Sequence, residues 1–136
     1  MKVVLDTNVV VSGTFYGGVP FEIVQSAKSG AVDLCVSAEI VAEYHEVLLR
    51  FVGPGSEADV AIILDALLEN ATVVATMELP SQISADRDDD VFIACALAAG
   101  ADLIVSGDKH LLVLHGRIPV PVLKPREALV RIRTAT

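Results

Sequence analysis

Aromatic residues, cysteines and long apolar runs are scarce in this chain of 136 residues. Aromatic residues make up 4% of the sequence and hydrophobic residues 53%, so the core must be built from Ala, Val, Ile and Leu. Cys35 and Cys95 lack CxxC spacing and are expected to be small buried hydrophobes. No segment approaches the roughly 20 apolar residues of a membrane span, and no signal-peptide pattern opens the chain. We expect one soluble, cytoplasmic domain covering residues 1–136, with no membrane contact.

Basic residues are also few, and they are unevenly distributed along a chain whose formal charge is −8. Residues 1–116 carry five basic and seventeen acidic side chains, whereas residues 117–136 carry five basic and one acidic. An acidic body argues against a protein that coats nucleic acid through charge alone. It is compatible with an enzyme whose metal ion bridges carboxylates to a substrate phosphate. The basic end could be solvated, contact a substrate or form a docking surface.

The common cofactor and nucleophile motifs are missing from the sequence. There is no Walker-type phosphate loop, no GxGxxG and no serine elbow. The histidines His45, His110 and His115 do not have the spacing of a metal site. These absences exclude nucleotide-cofactor and acyl-transfer chemistry.

Strand-like and helix-like segments alternate along the chain, without a linker or an internal repeat. The pattern predicts strands at 2–5, 32–36, 71–75, 103–105 and 118–123, the last a proline-marked edge strand. It predicts helices at 20–29, from Ser37 to the break at 53–55, at 56–70, from the aspartate run to Ala99, and short ones after Asp108 and Pro125. Residues 12–20 and 76–86 are predicted loops. The alternation predicts an α/β fold, a three-layer sandwich with a mainly parallel five-stranded sheet.

Two aspartates follow directly on predicted buried strands. Asp6 ends the run KVVL, and Asp108 comes just after LIV at 103–105. Because the crevice of such a sheet lies beyond the carboxyl ends of its strands, both should reach the same edge. Asn8 and Ser106 add polar groups beside them. Taken singly, each aspartate is also compatible with an ordinary turn or helix cap.

Two further acidic residues are predicted on helices that face this edge. Glu43 is the glutamate nearest to the buried arc of its helix, although a solvated face is the ordinary alternative. Asp90 ends a run of aspartates at a helix start and is followed at helical spacing by apolar residues. We therefore expect Asp90 to point inward and Asp88 or Asp89 to cap the helix. Carboxylates gathered in this way repel one another unless a hard cation such as Mg²⁺ or Mn²⁺ lies among them.

Three segments, in this order, resemble the PIN-domain family. They are LDTNVVVS, SAEIVAEYHEVLLR and DRDDDVFIACALAAGADLIVSGDKHLL. The third is the most specific, since it is similar to the DPDDD…A…AGAD.IVSGDKDLL pattern of single-domain PIN proteins assigned as toxins of VapBC-type toxin–antitoxin pairs. Two positions depart from that pattern: Arg87 stands where proline is common, and His110 where aspartate often stands.

The resemblance implies a PIN-like fold and a Mg²⁺- or Mn²⁺-dependent endoribonuclease that hydrolyses RNA phosphodiester bonds and leaves a 5′-phosphate and a 3′-hydroxyl. It also implies a homodimer and a cognate antitoxin protein. The catalytic and metal-binding residues that it implies are acidic, and they are Asp6, Glu43, Asp90 and Asp108. The supporting polar residues are Asn8 and Ser106.

Three other interpretations compete with the nuclease. A phosphatase of the haloacid dehalogenase kind needs a second aspartate two residues after Asp6, and Asn8 stands there. A response-regulator receiver could use Lys124 as its lysine after the fifth strand, but its acidic pair is missing. A non-catalytic PIN-like scaffold that binds RNA or a partner remains open, although such a scaffold has no reason to keep buried like charges.

Overall fold

Five parallel strands form a sheet in the order β3-β2-β1-β4-β5. The computed structural model describes residues 1–135, except for the side chain of Arg87, so the sequence departure at that position lies outside the described side chains. The strands are β1 (Lys2–Leu5), β2 (Asp33–Val36), β3 (Thr72–Val73), β4 (Leu103–Val105) and β5 (Val122–Leu123). Val3 pairs with Leu34 on one side and with Leu103 on the other, which fixes β1 at the centre.

Seven α-helices connect and cover the strands of the described chain. They are α1 (Thr7–Phe15), α2 (Val19–Lys28), α3 (Ala38–Val52), α4 (Glu57–Leu68), α5 (Asp90–Ala99), α6 (Lys109–Leu112) and α7 (Pro125–Ala135). A 3₁₀ turn at Arg87–Asp89 leads into α5. None of the helices in residues 1–135 has the length and apolar character needed to cross a bilayer.

Strands β1 and β4 are covered on both faces of the sheet. Val3, Val4 and Leu5 are fully buried in succession, and so are the three residues of β4. Consecutive burial without alternation means that helices cover both faces of the sheet, as in other parallel sheets. The prediction of an α/β fold with a mainly parallel five-stranded sheet is confirmed, and all the strand pairs are parallel. Cys35 and Cys95 are buried and free, as expected.

Helix α1 differs from the prediction, because residues 12–20 were expected to form a loop. β-Branched residues such as Val9 and Val10 are weak helix formers, yet both are buried in the core, and this burial outweighs local propensity. Gly13 lets α1 approach α2 closely. A Cβ atom there would clash with the side chain of Val24 and the carbonyl oxygen of Pro20.

The outer strands are shorter than predicted, and the last helix is longer. Strand β3 comprises only Thr72–Val73, which is exposed, and β5 comprises only Val122–Leu123 after two prolines that cannot donate to a sheet. Helix α7 extends for eleven residues from Pro125. The predicted cap of α3 is present, since the Ser37 hydroxyl accepts a hydrogen bond from the Ile40 amide at 3.3 Å.

Candidate metal centre

Ser106 joins the two strand ends that carry Asp6 and Asp108. The amide of Asp6 donates to the carbonyl oxygen of Val105 at 2.9 Å, which sets the ends of β1 and β4 side by side. The fully buried Ser106 hydroxyl donates to Asp6 Oδ2 at 2.7 Å and accepts from the Asp108 amide at 2.9 Å. The structure therefore brings Asp6, Ser106 and the Asp108 backbone together. The Asp108 carboxylate caps α6 by accepting from the His110 amide at 2.8 Å.

Helix α3 brings Glu43 to the same strand end. The Thr7 hydroxyl donates a short hydrogen bond to Glu43 Oε2. The next residue, Tyr44, is fully buried, and its hydroxyl donates to the carbonyl oxygen of Leu5 at 2.5 Å. These two bonds attach α3 to the end of β1 and hold Glu43 beside Asp6. Thr7 and Tyr44 were not identified from the sequence; their only signal was adjacency to Asp6 and Glu43.

Asp89 and Asp90 have placements that differ from the prediction. Asp90 was expected to point inward, but its two carboxylate oxygens accept hydrogen bonds from the backbone amides of Ile83 at 3.0 Å and Ser84 at 2.7 Å. Asp89 occupies the N-cap position of α5, as expected, but its side chain makes no capping bond; it is 7% exposed, and its Oδ2 atom has no hydrogen-bond partner among the described residues. Successive side chains at a helix start point about 100° apart. A shift of one residue, from Asp90 to Asp89, therefore changes which carboxylate faces the sheet edge.

Burial and mutual repulsion raise the pKa values of the gathered carboxylates. Burial is the main cause that raises the pKa of Asp89 to about 7, and the negative charges of Asp108, Asp6, Asp86 and Glu43 raise it further. Burial also raises the pKa of Asp6, against the lowering effect of the Ser106 hydroxyl. The pKa of Glu43 is raised by burial, lowered by the Thr7 hydroxyl and raised again by Asp6. The negative charges of Asp108, Asp6 and Glu43 thus act on Asp89, and the charge of Asp6 acts on Glu43.

The donor set has the chemistry of a hard-cation site, although it is not a closed cage. Every candidate ligand atom is a carboxylate or hydroxyl oxygen, which Mg²⁺ and Mn²⁺ prefer. Within the described part of the chain, no three His, Cys, Asp or Glu side chains are arranged closely enough to hold an ion as they stand. Mg²⁺ usually keeps several waters and binds through one or two carboxylates. An open group with an unpaired buried oxygen on Asp89 fits such a hydrated ion.

Asn8 and Asp90 lie at the border of this group. Asn8 is exposed on the first turn of α1, and none of the described side chains forms a hydrogen bond with its amide. Asp90 lines a neighbouring cleft of about 440 Å³, formed with Glu39, Val91 and the segment 76–82. At the start of α5, Asp89 therefore belongs to the acidic group and Asp90 lines this cleft.

Comparison with known proteins assigns the class. The sequence model of the PIN domain matches residues 2–110. The chain therefore belongs to the PIN-domain family, as its resemblance predicted. PIN domains are generally nucleases, and PIN-domain nucleases generally use divalent metal ions.

Two solved structures share the fold at low sequence identity. VapBC2 from Rickettsia felis, bound to a DNA fragment from its promoter, is 13% identical, with a TM-score of 0.60 over 91% of this chain and 98% of that chain. PAE2754 from Pyrobaculum aerophilum is 15% identical, with a TM-score of 0.62 over 98% of this chain and 90% of that chain. No curated protein matches significantly.

Proposed function

We propose that this chain is a single-domain, metal-dependent endoribonuclease, spanning residues 1–136, that hydrolyses RNA phosphodiester bonds. The observation that carries the proposal is that hydrogen bonds of Ser106 and Thr7 gather Asp6, Asp108 and Glu43 at the carboxyl edge of the sheet, while Asp89 Oδ2 is buried and unpaired among the described residues. Uncompensated buried charge is costly, so such a group makes physical sense as part of a cation site. Membership of the PIN-domain family supports the same conclusion.

The proposed ligands are those four carboxylates, with Mg²⁺ or Mn²⁺ as the metal. When bound, the ion would balance the negative charge of the scissile phosphate and lower the pKa of the attacking water from ~15.7 toward neutrality. The hydroxyls of Ser106 and Thr7 orient Asp6 and Glu43 through the hydrogen bonds described above. Asp90, which was the sequence-based candidate, instead supports the backbone at residues 83–84, and Asn8 remains a candidate for contact with the substrate.

The reaction is the addition of water to phosphorus with cleavage of the bond to the 3′ oxygen. The products are one RNA fragment with a 5′-phosphate and one with a 3′-hydroxyl. The recessed edge, where Asp6 and Asp89 are 5% and 7% exposed, limits access to a strand that can bend into it. We therefore propose single-stranded RNA as the substrate.

Purified protein incubated with single-stranded RNA and Mg²⁺ or Mn²⁺ tests the proposal. Cleavage should require the metal and should be lost in Asp6→Asn and in Asp89→Asn. Asp65→Asn is the matched control, because Asp65 is exposed on α4, away from the sheet edge. Equal cleavage by the parent and all three variants would assign the activity to a contaminant or to another site.

The non-catalytic scaffold is the second candidate, and one observation favours it. The described residues contain no preformed group of three metal ligands. Calorimetry with Mn²⁺ separates the two candidates. Saturable binding that Asp89→Asn weakens supports the nuclease, whereas the absence of saturable binding supports the scaffold.

We also propose that the protein is cytoplasmic, acts as the toxin of a toxin–antitoxin pair and forms a homodimer. The fold similarity to a VapBC2 structure supports the toxin role. An exposed aromatic cluster supports protein contacts: the rings of Phe15 and Phe51 stack with centroids 4.6 Å apart, and Tyr16 meets Phe51 edge-on at 6.2 Å. Tyr16 is 61% exposed and Phe51 47%. Exposed aromatic residues are typical of surfaces that partners cover.

A further inference from the structure

A group of basic side chains lies beside the acidic group, at the carboxyl ends of β4 and β5. We call Lys109, Lys124 and Arg126 the basic edge. Lys124 directly follows β5, and the carbonyl oxygen of the preceding Leu123 accepts a hydrogen bond from the Ser106 amide at 3.0 Å. Lys109 follows Asp108 at the start of α6, and Arg126 is the second residue of α7. All three therefore begin at the same edge of the sheet as the carboxylates.

The three basic side chains are exposed and available to an external anion. None of the carboxylates in the described residues lies within ion-pairing distance of Lys109, Lys124 or Arg126. By contrast, Arg133 on the same helix as Arg126 pairs with Glu22 at 2.6 Å. The positive charges of the basic edge are thus not neutralised by ion pairs with the described carboxylates.

Local helix energetics do not account for the position of Arg126. Anions are favoured in the first turn of a helix and cations in the last turn. Arg126 lies in the first turn of α7, where the helix dipole opposes a positive charge. Placement for stability would have put acidic side chains there, as at Glu57 and Asp59 in the first turn of α4.

The charge along the carboxyl edge is strongly asymmetric. On the β2 and β3 side, Glu39 at the start of α3 and Glu78 in the segment after β3 are exposed acidic residues. The basic edge occupies the β4 and β5 side, in a chain whose residues 1–116 are otherwise strongly acidic. A polyanion would be repelled from the first side and attracted to the second.

We propose that the basic edge binds the phosphate backbone of single-stranded RNA on one side of the scissile bond. This inference rests on the proposed function and adds the direction from which the substrate reaches the carboxylates. A flexible strand can follow the basic edge and then bend toward the recessed Asp6 and Asp89, whereas a stiff duplex cannot. Binding therefore depends on interactions with phosphates, which release counterions and weaken as salt rises.

Binding of a fluorescein-labelled oligouridylate to the full chain, followed by fluorescence anisotropy across a salt titration, tests the inference. All variants carry Asp6→Asn to prevent cleavage. The double variant Lys124→Ala/Arg126→Ala should bind more weakly. Its log–log salt slope should fall by about 1.4, because each phosphate of a single strand that is no longer neutralised lowers the slope by ~0.7. Arg117→Ala/Arg131→Ala removes the same charge from positions away from the edge and should keep the slope.

Three results would overturn the inference. The first is an unchanged log–log salt slope in Lys124→Ala/Arg126→Ala, and the second is an equal loss of oligouridylate affinity in both double variants. The third is duplex DNA binding that is equally tight and depends equally on Lys124 and Arg126. Far-UV circular dichroism checks that the variants fold, and Lys124→Gln/Arg126→Gln repeats the test with longer polar side chains.

A parallel cleavage assay without Asp6→Asn separates the two proposals. Binding through the basic edge without cleavage sinks the nuclease alone, and cleavage that is indifferent to Lys124 and Arg126 sinks this inference alone.

Discussion

Two neighbouring aspartates, Asp89 and Asp90, have different physical roles in the structure. Asp89 brings an unpaired buried oxygen to the other carboxylates, and Asp90 uses both oxygens on the backbone of residues 83–84. A carboxylate that is satisfied by two amides has less capacity for a cation than one that has no partner. At the scale of single residues, Asp89 therefore marks the site, because its carboxylate keeps an oxygen without a hydrogen-bond partner among the described residues.

Substitution of these two aspartates should have separable effects. Asp89→Asn should lower metal-dependent cleavage by about 100-fold or more, because a ligand charge is lost. Asp90→Asn should lower the free energy of unfolding by ~1–3 kcal/mol, because an amide cannot accept both backbone hydrogen bonds as strongly as a carboxylate. Cleavage rates and urea denaturation of both variants check this expectation. Stable, inactive Asp90→Asn together with active Asp89→Asn would reverse the assignment.

The hydroxyl of Tyr44 is expected to hold Glu43 in register with β1. Tyr44→Phe leaves the buried carbonyl oxygen of Leu5 without this donor, so the free energy of unfolding should fall by ~1–3 kcal/mol. Mn²⁺ affinity measured by calorimetry should fall with it, because α3 is no longer attached beside Asp6. Tyr16→Phe is the control, since Tyr16 is 61% exposed. Equal stability and metal affinity in the two variants would contradict the expectation.

At the scale of elements, the carboxyl ends of the strands and the starts of the helices together produce the site. β1 ends at Leu5, Asp6 follows it and α1 begins at Thr7, while β4 leads through Ser106 to the start of α6. Each element is ordinary, and the chemistry arises because parallel strands end at one edge. The cost of this arrangement is electrostatic and should be visible as a pH dependence of stability.

In metal-free protein, the free energy of unfolding should fall as pH rises from about 4 to about 7. Asp89 has its pKa raised from 3.8 to about 7, so the folded state retains a proton that the unfolded chain has already released. Below 3.8 both states are protonated and no penalty exists, whereas above about 7 the full penalty is present. Raised pKa values of Asp6 and Glu43 act in the same direction.

Urea denaturation at several pH values, with a chelator present, measures this slope. Asp89→Asn should show a flatter profile, because the group that retains the proton is gone. Saturating Mn²⁺ should also flatten the profile, since the bound ion stabilises the ionised carboxylates. A profile that is identical in the parent and in Asp89→Asn would contradict the assignment of the raised pKa to this residue.

At the scale of the whole molecule, the fold class followed from the sequence because local and global signals agree. Unbroken apolar runs such as Val3–Leu5 and Leu103–Val105 favour strands that are covered on both faces. The strand-end positions of Asp6 and Asp108 could be predicted for the same reason. Parallel topology alone places them at a common edge, whatever the details of the loops.

Features that depend on tertiary contacts could not be predicted in this way. Helix α1 contains three consecutive valines, and its helical state depends on burial and on contact with α2. The orientation of Asp89 and Asp90 depends on a 3₁₀ turn and on the backbone amides of the loop before it. The sequence of the aspartate run does not indicate that Asp90 binds the loop amides and that Asp89 lies beside the other carboxylates.

The exposed aromatic cluster allows a test of whether the protein forms a homodimer through this surface. If the homodimer buries Phe15, Tyr16 and Phe51, Phe51→Glu should shift the protein to a monomer in light scattering, because a charge would be buried in an apolar interface. Val113→Glu is the control, since Val113 is 57% exposed on a different helix end. A dimer that survives Phe51→Glu would show that another surface mediates self-association.

The close approach of α1 and α2 at Gly13 has a consequence for the distant carboxylates. Even one added methyl group would force the two helices apart, because the backbone of Pro20 occupies the space. Helix α1 starts directly after Asp6 and carries Thr7, so a displaced helix would shift both residues relative to Glu43. The spacing of the acidic oxygens thus depends in part on a buried residue without a side chain.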